Sequence, residues 1–125
     1  MGNGKGSELR QRCLVFATDV LRFADESDPR GPARWTVFKQ LCGSAASIGA
    51  NLEEADAAQS RADFISKCCI SLKEARETRY WLRLIQRTFF PHREDDLHPL
   101  IQEATELIAI LTTIIRKASS HRIRS

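Results

Sequence analysis

Apolar residues recur along this 125-residue chain at intervals of three and four, the spacing that gathers side chains on one face of an α-helix. Leu9, Cys13, Phe16, Val20 and Phe23 form the first such stripe and predict a helix from about Glu8 to Glu26. Ser27-Asp28-Pro29-Arg30-Gly31-Pro32 breaks the pattern, because each proline lacks an amide donor and restricts the residue before it. Trp35, Phe38, Leu41, Cys42, Ala45, Ile48, Leu52 and Ala55 then predict a second helix over Ala33 to Ala57. Ser60 and Asp63 have the spacing of a helix cap. A third stripe follows, with Phe64, Ile65, Cys68, Leu72, Ala75, Arg79, Leu82 and Ile85 running from Arg61 to about Thr88. After the turn Phe89-Phe90-Pro91-His92, a wide stripe from Leu97 to Ile115 predicts a fourth helix over Glu94 to Ala118, with Pro99 in its first turn.

Short loops between long helices favour antiparallel neighbours. The expected fold is therefore all-α, an antiparallel up-down-up-down four-helix bundle. Residues 8–118 form the bundle in this reading, with a disordered N-terminus at 1–7 and a basic, flexible C-terminal tail at 119–125. The third helix, about 40 Å long at about 1.5 Å per residue, is long for a lone domain. Gly43, Ser44, Ala46, Ser47, Gly49 and Ala50 make the second helix unusually small-sided. Two glycines cost a helix roughly 1 kcal/mol each relative to alanine, so close approach of another helix is expected there.

Composition narrows the functional classes. Hydrophobic residues are 42% and charged residues 28% of the chain, ordinary for a globular protein. No uncharged apolar run is long enough to span a bilayer, and the start MGNGKGSELRQR lacks the apolar stretch of a secretory signal; a cytoplasmic protein is expected. Cys13, Cys42, Cys68 and Cys69 show no CxxC spacing and read as reduced thiols rather than disulfides or a zinc site. Met1-Gly2 suggests myristoylation, but Gly6 stands where that signal wants Ser or Thr. The net charge of +3 is unevenly spread: residues 61–125 carry the excess, with Arg116, Lys117, Arg122 and Arg124 in the last ten residues. These residues read as a solvated tail or as phosphate contacts.

Catalytic chemistry finds little support. A dimetal carboxylate centre needs Glu-x-x-His on two helices, and the second and third helices contain no histidine. His92, His98 and His121 stand apart from any nucleophile in the pattern. The reading is no enzyme, no metal and no cofactor. More informative is Lys73-Glu74-Ala75-Arg76-Glu77-Thr78-Arg79-Tyr80-Trp81-Leu82-Arg83. Its charges read as ion pairs that set helix register or a subunit contact. Alternatively, Arg76, Arg79, Arg83 and Arg87 beside Tyr80 and Trp81 form a stripe able to hold phosphates and stack bases.

The segment Gln40 to Ile85 resembles the four helix bundle protein family, also called the 23S ribosomal RNA intervening-sequence protein family. The resemblance rests on Ser44, Ser47, Ile48, Asn51 and Glu54 in the second helix, on Asp63 to Lys67, and on Lys73 to Leu82. It extends over about residues 8–118. It implies an antiparallel bundle that assembles as a ring-like homopentamer, with some members encoded inside ribosomal RNA genes. A related branch, the accessory variability determinant of diversity-generating retroelements, implies nucleic-acid binding through a basic surface. No catalytic residue is carried over.

Ser44, Ser47, Asn51 and Glu54 recur at three, four and three residues and so form one polar line along the second helix. Unpaired polar groups beside a core cost about 1 to 3 kcal/mol, which predicts a polar seam toward the third helix. Glu74, Glu77, Tyr80 and Trp81 are its expected members there, with Lys73, Arg76, Arg79 and Arg83 as donors, within the subunit or across an oligomer interface. The expected function is a non-enzymatic oligomeric scaffold whose partner is itself. The alternative is an RNA- or DNA-binding accessory protein using Arg76, Arg79, Arg83, Arg87, Arg116, Lys117, Arg122 and Arg124.

Overall fold

The computed structural model describes residues 4–27, 30–92 and 94–124, without the side chains of 5, 94, 95 and 121–124. Asp28 and Pro29 of the first loop, the side chains of His121, Arg122 and Arg124, and the chain's first three residues and last residue lie outside the described set. Four helices follow in order: α1 (Gly4–Glu26), α2 (Pro32–Asp56), α3 (Arg61–Phe89) and α4 (Glu94–Arg124). No strand occurs among the described residues.

The internal boundaries have local causes. Gly31 adopts φ 98°, which a side chain would strain, and Pro32 opens α2 where its missing donor costs nothing. Ser60 caps α3, its hydroxyl accepting from the Asp63 amide at 3.1 Å. The outer boundaries differ from expectation. Residues 4–7 are helical despite Gly4 and Gly6, and Gly6 is buried, so tertiary packing outweighs poor propensity. Residues 119–124 continue α4 instead of leaving it as a separate tail. No glycine or proline follows Ala118, and cations are favourable at a helix C-terminus. At 31 residues α4 exceeds α3, and Pro99 lies in its second turn rather than its first.

Each helix packs on the next, most extensively α2 on α3. α1 also meets α4, but narrowly, and among the described residues the backbones of the diagonal pairs do not approach each other closely. Contact order fixes the directions. Ser71 and Thr78 of α3 reach Ile48 and Ser44 of α2, rising numbers against falling ones. Arg10 and Phe23 of α1 likewise meet Asp56 and Phe38 of α2. Near opposite ends of the α3–α4 contact, Arg83 lies beside Ile101 and Phe64 beside Ala118. The bundle is antiparallel, up-down-up-down.

Its core takes the expected stripes: Leu9, Cys13, Phe16 and Val20 from α1, Leu41, Ala45, Ile48 and Leu52 from α2, Cys68, Ala75, Leu82 and Ile85 from α3, and Leu97, Ala104, Leu107 and Leu111 from α4. Phe23, Phe38, Phe89 and Phe90 close one end, with the Arg34 guanidinium 4.7 Å from the Phe89 ring centroid. Trp35 departs from its expected place on the apolar face and is 56% exposed, beneath the Lys39 ammonium. The two glycines of α2 also differ. A Cβ on Gly49 would stand 3.3 Å from the Cys13 Cβ, a close helix approach, whereas Gly43 faces open space.

Candidate functional site

Three outer surfaces carry the residues of interest. The first lies between α2 and α3. Ser44 is buried, and the Thr78 hydroxyl stands 2.9 Å from its oxygen and 2.8 Å from the Glu74 carbonyl. One turn deeper, buried Ser71 donates to the Ile48 carbonyl at 2.8 Å. Ser47 and Asn51, half-buried, bond back to Gly43 and Ser47 carbonyls of their own helix. The cross-helix bonds thus come from Ser71 and Thr78, not from the expected arginines and lysine. Both had a legible signal, being hydroxyls seven residues apart on the line of Cys68, Ala75 and Leu82.

The remaining seam residues scatter around the groove. Glu54, Glu77 and Tyr80 are exposed, whereas Glu74 and Trp81 are half-buried. Burial, and then the neighbouring Glu77 charge, raise the Glu74 carboxyl above its ordinary pKa. The Trp81 indole nitrogen is buried without an acceptor among the described residues, and its ring stands edge-on to Tyr80 at 5.1 Å.

The second surface lies between α3 and α4. Arg76, Arg79, Arg83 and Arg87 recur at three and four residues along this flank. Tyr80, Arg83, Leu84, Gln86 and Arg87 line a depression with Pro91 and Ile101. None of the four arginines forms an ion pair among the described residues. Glu74 and Glu77 project from the other flank of α3. Glu103 and Glu106 of α4 turn to α1, where Arg12 binds Glu103 through two bonds of 2.6 and 2.8 Å and Glu106 at 2.8 Å. Those bonds hold the Arg12 guanidinium still further above its ordinary pKa. Charge is thereby segregated around the bundle. Arg116 and Lys117 are exposed at the opposite end of α4 and do not join this group.

The third surface, between α1 and α2, was not anticipated as a site. Leu14 is 60% and Leu21 44% exposed, on the α1 flank that meets α2. Leu14 and Ala17 border a depression with Ala46, Gly49 and Ala50. Leu21 and Ala24 border another with Trp35 and Cys42. The available signal was a second series in α1, Leu14, Ala17, Leu21 and Ala24, set beside the core stripe.

The thiols offer no poised nucleophile. Burial pushes Cys13 up to about 12 and Cys68 up to about 11, and raises Cys42 as well. Among the described residues no group of histidine, cysteine and carboxylate side chains is placed to hold a metal ion.

Residues 5–113 match the profile of the 23S rRNA-intervening sequence protein family. The chain belongs to that family. A solved structure from Bacteroides thetaiotaomicron VPI-5482, a protein of unknown function from the S23 ribosomal protein family, is similar at 38% identity and a TM-score of 0.80. The match covers 90% of this chain and 99% of that one. No curated protein matches the chain. The family assignment spans the whole polar line of α2 and the charged run of α3, but not Arg116, Lys117, Arg122 or Arg124.

Proposed function

We propose that this member of the 23S rRNA-intervening sequence protein family is a non-enzymatic cytoplasmic scaffold that associates with copies of itself. The observation that supports this is the apolar α1–α2 surface, where Leu14, Leu21 and Trp35 stand exposed around small residues. Exposed apolar side chains gathered on one face mark an interaction surface, whereas scattered ones do not. Five copies is the count that the family resemblance implies. Light scattering at micromolar concentration should give a mass well above the 14.1 kDa of one chain. A monomeric mass overturns the reading.

A second reading is favoured by the segregation of charge. Arg76, Arg79, Arg83 and Arg87, which form no ion pair among the described residues, stand near exposed Tyr80 and suit phosphate contacts with base stacking, as an RNA-binding accessory protein would use. It requires binding to mixed RNA or DNA that weakens as salt rises, through counterion release. Binding absent at low salt, or present but indifferent to salt, removes it.

A further inference from the structure

The α3–α4 groove holds more than a row of cations. Arg76, Arg79, Arg83 and Arg87 follow one line along α3, about 16 Å from first to last at about 1.5 Å per residue. The facing edge of α4 carries Ile101, Thr105, Ile108 and Thr112, again at spacings of three and four. Both threonine hydroxyls bond to carbonyls of their own helix, and Glu103 and Glu106 are engaged with Arg12 on the α1 side. Among the described residues, therefore, no carboxylate pairs with these arginines.

Toward the C-terminal end of α3 the surface changes character. Exposed Tyr80 borders a hollow walled also by Leu84, Pro91 and Ile101, with the Gln86 amide among them and exposed Arg83 and Arg87 at its rim. The Gln86 side chain makes no hydrogen bond among the described residues, so it keeps both donors and an acceptor to offer. Trp81, itself packed against the core, meets the Tyr80 ring edge-on and steadies it. Phosphates need only the cations. An aromatic ring, apolar walls and an amide beside them match the face and the edge of a nucleobase.

We propose that this hollow seats one unpaired base of a single-stranded RNA, stacked on Tyr80, while the phosphates on either side lie along Arg76, Arg79, Arg83 and Arg87. The inference rests on the RNA-binding reading above and adds the strand state and the seat of the base. Two features favour a single strand over a duplex. Bases in an A-form duplex keep their faces inside the stack and leave both Tyr80 and the hollow unfilled, whereas loops, bulges and ends of RNA display those faces. The arginines also form a single line on a convex helix, which follows one backbone, and a duplex presents two.

Fluorescence anisotropy on the full chain tests it, using a labelled RNA strand without self-complementarity and the same strand annealed to its complement, both at low salt. The single strand should bind more tightly. Tyr80→Ala should weaken single-strand binding about tenfold, the scale of losing one base–aromatic stack, and leave the duplex unaffected. Tyr80→Phe keeps the ring and should bind as the wild type does. Tyr80 is 59% exposed, so both variants should retain wild-type helicity by circular dichroism. Arg83→Gln should weaken both ligands and flatten the log–log salt dependence for the single strand by about 0.7, the share of one phosphate. Equal or tighter binding of the duplex, a single-strand preference that survives Tyr80→Ala, or an unchanged slope in Arg83→Gln overturns the proposal and leaves salt-sensitive RNA binding standing. No binding of either ligand overturns that reading as well.

Discussion

Gly43 and Gly49 look alike in the sequence, both small residues in a small-sided helix, yet their surroundings assign them different roles. A side chain at Gly43 meets nothing within 4 Å, so Gly43→Ala should gain most of the helix-propensity difference, about 0.5 to 1 kcal/mol. At Gly49 the Cys13 Cβ would stand 3.3 Å from the new methyl. That crowding offsets the gain, and Gly49→Ala should raise the urea midpoint less than Gly43→Ala or lower it. Equal gains at both sites contradict the close α1–α2 approach. Glu74 gives a pH-dependent counterpart. Its carboxyl is raised by burial and by Glu77, so the folded state holds the proton to higher pH than the unfolded chain. Its contribution is accordingly favourable at low pH and is lost as pH rises through the carboxylate range. Glu74→Gln should stabilise the protein at pH 7, with the benefit shrinking toward acid. A benefit that grows toward acid would mean the carboxylate has a cationic partner.

Among the helices, α1 is attached differently from the others. Its core stripe is buried, but its contact with α4 is narrow and centred on Arg12 with Glu103 and Glu106. Charge-assisted bidentate bonds are stronger than ordinary surface pairs, although partial exposure of all three side chains limits the gain. Arg12→Met should cost on the order of 1 kcal/mol at low salt and less at about 1 M salt, where exposed charges are screened. In that variant, hydrogen exchange should rise along α1 before it rises in α2 or α3. A loss independent of salt would assign Arg12 a packing role in place of an ionic one. The helix ends show the same balance between local and tertiary terms. Ser60 and Asp63 mark the start of α3 in the sequence because the cap is made by neighbours, whereas the entry to α1 at Gly4 contradicts propensity and follows from burial of Gly6.

For the whole molecule, cooperative unfolding can be read from the thiols. Cys13 and Cys68 are buried and held protonated, Cys42 is half-buried, and Cys69 is exposed. At pH 8 a disulfide reagent should modify Cys69 rapidly and Cys42 slowly. Cys13 and Cys68, which sit in different helices of one core, should react together and only at the rate of opening. Modification of Cys13 well before Cys68 would show that α1 opens apart from the rest of the bundle.

The four helices, the antiparallel order and most of the core were legible in the chain because three-and-four periodicity and short loops are local properties that translate directly into amphipathic faces. The polar line of α2 was legible too, but its partners were not: Ser71 and Thr78 reach across because they are small enough to sit between packed helices. Arg76, Arg79 and Arg83, longer and charged, fall on the flank toward α4 or solvent. Trp35 was placed with the core by its spacing and stands outside it, since the width of a buried stripe depends on how near the neighbouring helix comes. That distance also decided the outcome for Leu14 and Leu21. Their spacing marks a second series on α1, and only the packing of α1 on α2 and α4 determines that these two leucines are left exposed.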